Sequence, residues 1–252
     1  MKRIYKNTIL SMAVFLPVLS QAQLVKMPMD VAPDGTTYEQ VSGKSFKVNG
    51  TLVPYCVPGA KGKAWRLDGY SSYLQAQIDP TVLAGKKQLT FSLWVAPESY
   101  PMMKLDQDGE WFTTMLGNVK LDDNNTISGD KGFAFQLGSR GSYKFICYVA
   151  GWQVKCEPEA KLSRYQRNHL VATVDGENKM VTLYKKEKKV ESKNCTKGEI
   201  TPGGSTLYVG KSYVEDKVDV FYLNTYNGLL DDFEIYDGIR TDILKEKAEN
   251  AP

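Results

Sequence analysis

Near its C-terminus the chain reads Gly228-Leu229-Leu230-Asp231-Asp232-Phe233-Glu234-Ile235-Tyr236-Asp237. Side chains of a β-strand alternate between two faces, so the stretch predicts one apolar face that carries a single carboxylate. The residues of that face are Leu229, Asp231, Phe233 and Ile235. A lone carboxylate among core residues is costly unless a partner compensates for it. We therefore expect a core strand whose buried acid, Asp231, needs a partner.

Short alternating stretches of the same kind recur upstream of this strand. Residues 89–95 alternate clearly, residues 169–174 and 179–185 predict a hairpin, and Asp68-Gly69 predicts a tight turn between two strands. With 15 Tyr, 9 Phe and 4 Trp, the chain is rich in residues that favour strands. Long helical periodicity is scarce. The pattern predicts an all-β protein, a sandwich or a barrel.

The first residues predict export. Lys2, Arg3 and Lys6 form a basic start, an apolar run follows, and Ser20-Gln21-Ala22 is a plausible cleavage site, so residues 1–22 are interpreted as a signal peptide. The apolar run is too short to span a bilayer. We expect a bacterial protein that is periplasmic or secreted, without membrane insertion once the signal is removed. Its domains would be a β-sandwich over residues 23–241 and a charged tail over residues 242–252.

The charge balance argues against a polyanionic partner. The formal charge is +3, but removal of the three basic leader residues lowers the 32 basic residues to 29, against 29 acidic ones. A mature chain that is about neutral has no electrostatic footprint for nucleic acid. We therefore expect no nucleic-acid partner.

Four cysteines in an exported chain allow two disulfides in three pairings. Residues 147–156 predict a hairpin, and a turn at Gly151-Trp152 would set Cys147 directly opposite Cys156. We expect that bridge, which leaves Cys56 to pair with Cys195. The alternative is four free thiols.

Six motifs occur in the order found in one family of β-sandwich modules. They are Trp65-Arg66-Leu67-Asp68-Gly69, residues 89–95, Asn168-His169-Leu170-Val171-Ala172, Met180-Val181-Thr182-Leu183-Tyr184, Leu207-Tyr208-Val209-Gly210 and the closing stretch that starts at Gly228. Together they resemble laminin-G-like modules of the concanavalin A-like lectin/glucanase superfamily, over residues 64–241. The resemblance implies an antiparallel jelly-roll β-sandwich.

The resemblance also implies work on carbohydrate. Such modules are commonly joined to bacterial polysaccharide-degrading enzymes, and this chain looks like those that precede family 32 fructan hydrolases. The expectation is an exported, non-catalytic carbohydrate-binding or supporting module of polysaccharide degradation, with a glycan or a glycoside hydrolase as partner. The alternatives are a glycoside hydrolase of glucanase or fructanase type and a protein-interaction module without sugar affinity. Fold alone does not decide among them.

The residues themselves predict no catalytic site. The single histidine, His169, lies in an apolar strand, and neither a nucleophile-elbow glycine motif nor a zinc-ligand spacing accompanies it. Glucanases of this superfamily carry Glu-x-Asp-x-x-Glu on one strand, and the nearest stretch, residues 232–237, lacks the first Glu and has the wrong spacing.

Two kinds of binding site are expected instead. Related modules often hold a structural Ca²⁺, for which Asp68 and Asp231 are the candidate ligands, with the acidic loop at residues 122–125 as a further source of oxygens. The alternative for Asp231 is a set of backbone N–H donors, or an arginine such as Arg66. For sugar stacking, aromatic residues in predicted loops and turns are the candidates, with core packing as their alternative. These are Trp111, Trp152, Tyr213, Tyr222 and Tyr226.

Overall fold

The computed structural model describes residues 22–50, 54–101, 112–119, 131–211, 217–218, 221–222 and 225–245. The predicted signal peptide, residues 1–22, lies outside these ranges except for Ala22. The strands are β1 (Gln23–Met27), β2 (Thr36–Tyr38), β3 (Ser45–Lys47), β4 (Tyr55–Pro58), β5 (Lys63–Asp68), β6 (Leu74–Gln77), β7 (Gln88–Pro97), β8 (Phe112–Gly117), β9 (Phe133–Gly138), β10 (Tyr143–Val149), β11 (Trp152–Cys156), β12 (Asn168–Asp175), β13 (Met180–Lys185), β14 (Lys188–Asn194), β15 (Thr206–Val209), β16 (Lys217–Val218), β17 (Phe221–Tyr222) and β18 (Asn227–Asp237). Short 3-10 helices cover Pro80–Leu83 and Asp242–Lys245. The second of these starts the predicted charged tail.

Two antiparallel sheets form a sandwich, which confirms the predicted fold class. The eight-stranded sheet has the order β14-β13-β12-β7-β18-β5-β4, with β1 also paired to β18. The six-stranded sheet has the order β11-β10-β9-β8-β15-β6. Strands that are neighbours in space are often distant in sequence, as in jelly rolls, so both faces of the core depend on long-range pairing.

Apolar side chains from both sheets fill the space between them. Phe91 of the eight-stranded sheet lies 4.6 Å from Phe133 and 5.3 Å from Phe145 of the other sheet, measured between ring centroids. All three side chains are buried. Phe91 belongs to β7, so the core strand predicted at residues 89–95 is confirmed, as is the hairpin of β12 and β13.

The closing strand departs from simple alternation. Asp231 pairs with Trp94 and Glu234 pairs with Ser92, so three steps along β18 match two steps along β7. The extra residue is a β-bulge, and Asp232 accommodates it with φ +40°. The expected face of Leu229, Asp231, Phe233 and Ile235 is therefore wrong. Leu230, Phe233 and Ile235 enter the core, whereas Asp231 turns to the opposite face of the sheet.

A second difference concerns Asp68-Gly69, for which a tight hairpin turn was expected. The strand before it, β5, lies in the eight-stranded sheet, and the strand after it, β6, lies in the six-stranded sheet. The segment from Gly69 to Tyr73 therefore crosses from one layer to the other. This crossing loop carries an exposed side chain, that of Tyr70, to one end of the sandwich.

The cysteine pairings also differ from expectation, since all four cysteines are free. The hairpin turns at Ala150-Gly151, one residue earlier than expected, and this register sets Cys147 opposite Val154. Cys56 lies in β4 and Cys195 directly follows β14, at the two edges of the eight-stranded sheet. Six strand spacings of about 4.8 Å separate these edges, far beyond the reach of a disulfide.

This geometry predicts the outcome of thiol mapping. Alkylation in denaturant without reductant, followed by peptide mass spectrometry, is expected to yield no peptide that joins Cys56 to Cys195. The same digest reports whether Cys147 and Cys156 are alkylated. Recovery of a Cys56–Cys195 peptide from monomeric protein would contradict the strand order.

Candidate functional site

A cavity of about 370 Å³ opens at one end of the eight-stranded sheet, where β5 ends and β18 begins. Its size falls in the range of small-ligand pockets. The lining combines an aromatic ring, an ion pair, a carboxylate, an amide and a hydroxyl. These groups come from Tyr55, Arg66, Leu67, Asp68, Ser72, Glu98 and Asn227.

An ion pair forms the centre of the cavity wall. Arg66 donates from Nε and Nη2 to Oε2 of Glu98, at 3.0 Å and 2.8 Å. This contact raises the pKa of the guanidinium. Glu98 is held in turn by its backbone, since its N–H donates to the carbonyl of Asn227 at 3.0 Å. Both donors used by Arg66 converge on one oxygen, so Oε1 of Glu98 takes no part in the pair.

The Asp68 carboxylate organises the crossing loop beside the cavity. Its Oδ1 accepts the N–H groups of Tyr70, Ser71 and Ser72, each at 2.9 Å, and its Oδ2 accepts the hydroxyl of Ser71 at 2.7 Å. Burial alone would raise the pKa of Asp68, but these bonds outweigh it and lower that pKa to about 2. Asp68 is therefore ionised at neutral pH, and it fixes the backbone that carries Tyr70.

One exposed tyrosine lines the cavity, and two more lie on segments that adjoin it. Tyr55 of edge strand β4 pairs with Arg66 of its neighbour β5 and is 59% exposed, and Tyr70 in the crossing loop is 62% exposed. Tyr165 is 67% exposed, and its backbone N–H donates to the carbonyl of Pro97, the residue before Glu98. Exposed aromatic rings are informative when they form a group beside a cavity, whereas single ones are ordinary. Together with the polar lining, they form what we call the Tyr55 pocket: Tyr55, Arg66, Asp68, Ser72, Glu98 and Asn227, flanked by Tyr70 and Tyr165.

The pocket joins flat apolar rings to paired hydrogen-bonding groups. Rings of this kind can stack on a ligand face, while Glu98 and Asn227 offer acceptors and Arg66 offers donors at the side. Nothing in the pocket resembles an acid–base pair poised for bond cleavage, because Asp68 is ionised and bonded and Glu98 is tied to Arg66. The arrangement suits binding.

Neither of the expected aromatics whose side chains the structure describes, Trp152 and Tyr226, lines this pocket. Trp111 and Tyr213 lie outside the described residues, and Tyr222 is placed only as backbone in β17. Tyr226 is fully buried, and its hydroxyl donates to the carbonyl of Leu229 at 3.2 Å. The prediction that Tyr226 meets a sugar is therefore wrong, since the ring is part of the core.

Of the two candidates whose side chains are described, Trp152 has the exposed ring, at 70%. It starts β11 directly after the Ala150-Gly151 turn. Ile200 bridges to Val149 beside this turn, and its N–H donates to the carbonyl of Lys86, two residues before β7 begins. Glu98 follows the other end of β7. Trp152 and the Tyr55 pocket thus lie at opposite ends of the sandwich and cannot share one small ligand.

The two expected metal ligands are not brought together. Asp68 pairs with Asn227, four residues before Asp231 along β18, and its oxygens are occupied by the crossing loop. Among the residues that the structure describes, no group of three His, Cys, Asp or Glu side chains could hold a metal ion. The loop at residues 122–125 lies outside the described ranges.

Backbone N–H groups bond to the Asp231 carboxylate, as in the alternative to a metal ion that the sequence suggested. Its Oδ2 accepts the N–H groups of Ala60 at 2.5 Å and of Lys61 at 3.3 Å, while Arg66 pairs with Glu98 instead. Its Oδ1 is buried without a hydrogen bond, as is Oδ2 of Asp232. An adjoining cavity of about 10 Å³ has room for one water at most.

His169 has a structural role, as expected. The ring stacks on Trp94 at 4.6 Å between centroids and 2° between planes, and Nε2 bonds Ser92 Oγ at 2.7 Å. Burial lowers the pKa of His169 to about 3, so it is neutral at physiological pH. It is fully buried and does not reach the Tyr55 pocket.

Sequence similarity assigns the chain to a family. The family model described as the concanavalin A-like lectin/glucanases superfamily matches residues 68–242. The chain belongs to this family. No curated protein sequence matches it.

Solved structures show the same fold at low identity. Domain 4 of AbnA, a GH43 extracellular arabinanase from Geobacillus stearothermophilus solved in complex with arabinotriose, is 17% identical, with a TM-score of 0.59 over 91% of this chain and 99% of that one. The binding domain of Paraclostridial Mosquitocidal Protein 1 is 16% identical, with a TM-score of 0.61 over 88% and 51%. A structure of botulinum neurotoxin type C, a toxin whose cell entry depends on interaction with two ganglioside molecules, is 10% identical. Its TM-score is 0.61 over 88% of this chain and 50% of that one.

The chain thus spans about half the length of the two toxin structures. At these identities the likeness establishes the fold and nothing more. Within the described residues, no helix has the length and apolar character needed to cross a membrane.

Proposed function

We propose that this protein is an exported carbohydrate-binding module without catalysis of its own, and that the Tyr55 pocket is its glycan site. The observation that carries the proposal is a cavity of about 370 Å³ in which exposed Tyr55 lies beside the Arg66–Glu98 ion pair, with exposed Tyr70 and Tyr165 on adjoining segments. Aromatic rings that stack on sugar faces, with charged and amide groups reaching hydroxyls, are the general chemistry of sugar recognition.

The family supports this reading without deciding it. The similar domain of an arabinanase was solved with arabinotriose, and another similar structure concerns ganglioside recognition. Both suggest a saccharide ligand for this sandwich. The likeness to an arabinanase domain supports an association with a polysaccharide-degrading enzyme. The basic start and apolar run of residues 1–22 support export.

The lack of catalysis is supported by where the described carboxylates lie. Asp231 and Asp232 are buried under the loop that starts at Gly59, and Glu234 is buried and accepts the hydroxyl of Tyr236 at 2.7 Å. A glycosidase needs two carboxyl groups that flank an accessible bond. The accessible acids of the Tyr55 pocket are committed to Arg66 and to the crossing loop.

Affinity electrophoresis of residues 23–252 tests the proposal, with gels that contain arabinan, fructan, xylan, glucan or mannan. Retardation by at least one polymer is expected. Tyr55→Ala should weaken it roughly tenfold because a stacking surface is lost, whereas Tyr55→Phe should retain most of it. Both variants should keep the wild-type melting temperature, since the side chain is exposed.

Trp152→Ala locates the site, because Trp152 lies at the other end of the sandwich. It is expected to leave retardation unchanged. Loss of binding in Trp152→Ala with retention in Tyr55→Ala would move the glycan site to the hairpin. No retardation by any polymer would contradict glycan binding and favour a module that supports or contacts another protein.

A further inference from the structure

The electrostatics of the Tyr55 pocket indicate which class of glycan it accepts. From them we infer that the pocket selects neutral, polyhydroxylated sugars and rejects glycans that carry carboxylates, such as uronic and sialic acids. The inference rests on the proposed function of the same pocket. The inference concerns the charge of the pocket lining, and a substitution at one residue can change that charge without removing an aromatic ring.

Among the described residues that line the pocket, the one cation is already paired. Arg66 directs two N–H groups to one oxygen of Glu98, at 3.0 Å and 2.8 Å. The outer edge of the guanidinium, which includes Nη1, still offers donors, but Glu98 balances the charge that would hold a ligand carboxylate there. The Glu98 carboxylate, whose side chain is only 15% exposed, would also repel such a ligand.

The remaining charge in the pocket is negative. Asp68 lines the same cavity and stays ionised, because the N–H groups of the crossing loop stabilise its charged form. Among the described residues of the lining, one cation and two carboxylates sum to a net charge of about −1. An anionic sugar would therefore meet a net repulsion.

A neutral sugar meets neither obstacle. Oε1 of Glu98 and Nη1 of Arg66 take no part in the ion pair, so they present an acceptor beside a donor. Two neighbouring hydroxyl groups of a pyranose or furanose can use both at once, with one donating to Glu98 and one accepting from Arg66. Such recognition leaves the ion pair intact.

Glu98→Gln tests the inference, because the amide removes one negative charge and frees the guanidinium. Wild type is expected to be retarded by a neutral polymer and not by polygalacturonate or polysialic acid. Glu98→Gln should gain at least about tenfold in affinity for one of the acidic polymers, and 0.5 M NaCl should abolish that gain through screening. Its affinity for the neutral polymer should fall.

Glu157→Gln is the matched control. Glu157 forms a surface ion pair with Lys155 at 2.9 Å, after β11 of the six-stranded sheet, so the variant makes the same charge change away from the pocket. It should bind as wild type does. Equal retardation of wild type by neutral and acidic polymers, or no gain in Glu98→Gln, would overturn the charge selectivity and leave glycan binding standing. No retardation by any polymer would overturn the proposed function itself.

Discussion

Raising the pH from 5 to 8.5 is expected to lower the free energy of unfolding by about 4 kcal/mol net, because two buried carboxyl groups lose protons that the fold holds. Buried His169, whose pKa is lowered to about 3, acts in the opposite direction and offsets about 2 kcal/mol of this loss. Burial raises the pKa of Asp231 to about 8, with the charge of Asp232 as the second cause. Burial likewise raises the pKa of Asp232 to about 7. Both side chains are at least 95% buried, and each has a carboxylate oxygen without a hydrogen bond.

The charged groups that face this pair partly offset one another. Lys61 and Lys26 favour ionised Asp232, whereas Glu234 and Asp30 oppose it. The N–H groups of Ala60 and Lys61 favour ionised Asp231, but they do not cancel the effect of burial. Burial therefore decides the direction for both groups.

The sign follows from linkage. In the unfolded chain an aspartate titrates near pH 4, so between that pH and about 8 the folded protein binds more protons than the unfolded chain does. The stabilisation is complete below about pH 4 and is lost as the pH rises through 7 to 8. Asp68 acts in the opposite direction, because its pKa is lowered to about 2 and its contribution is lost only in acid.

Thermal unfolding followed by circular dichroism from pH 5 to 8.5, with a chelator present, measures this effect. A fall in melting temperature of roughly 8–16 °C is expected. Asp231→Asn should flatten the dependence, because the amide cannot ionise. Asp237→Asn is the control, since Asp237 lies on the same strand in a partly exposed ion pair with Lys86. A melting temperature that rises with pH would contradict the protonated pair.

The same titration tests the predicted structural Ca²⁺. If a cation compensates Asp231, added Ca²⁺ should raise the wild-type melting temperature at pH 8 and leave that of Asp231→Asn unchanged. If a proton compensates it, Ca²⁺ should change neither. A chelator-independent melting temperature at every pH would leave the backbone N–H groups and a proton as the only partners of Asp231.

The sequence predicted the features that depend on local periodicity. The core strand at residues 89–95 and the hairpin of β12 and β13 follow from alternation that continues unbroken, and the sandwich follows from the number and spacing of such strands. The bulge at Asp232 was missed because one extra residue reverses every later side chain while leaving the composition of the strand unchanged. The β10–β11 hairpin has no bulge, but its turn lies at Ala150-Gly151, one residue before the predicted Gly151-Trp152, and this changes the partner of Cys147.

The Tyr55 pocket was missed for a different reason. Tyr55, Arg66, Glu98 and Asn227 come from an edge strand, its neighbour, the end of a central strand and the start of the last one. Of these residues only Arg66 lies in a motif recognised from the sequence, and only long-range strand pairing brings the four together. Tyr226 shows the converse error, because a loop-like sequence concealed a buried ring. Folding, more than local sequence, decides which aromatic side chains remain exposed.

Phe91→Ala should be the most destabilising single change among the variants considered, with a loss of about 4 kcal/mol in the free energy of unfolding. Phe91 is fully buried and contacts two further rings of the opposite sheet, those of Phe133 and Phe145. Truncation would leave a cavity between the sheets, which the well-packed surroundings can fill only in part. The melting temperature should fall by roughly 8–16 °C.

This variant separates the stability of the sandwich from the function of its pocket. Glu98 follows the end of β7, seven residues beyond Phe91, and its ion pair with Arg66 does not involve the core rings. Folded Phe91→Ala protein, measured well below its melting temperature, should therefore bind the neutral polymer as wild type does. Tyr55→Ala should show the reverse, with normal stability and weakened binding. A Phe91→Ala protein that is as stable as wild type would contradict the packing between the sheets. Loss of polymer binding by folded Phe91→Ala would show that the pocket depends on the core beneath it.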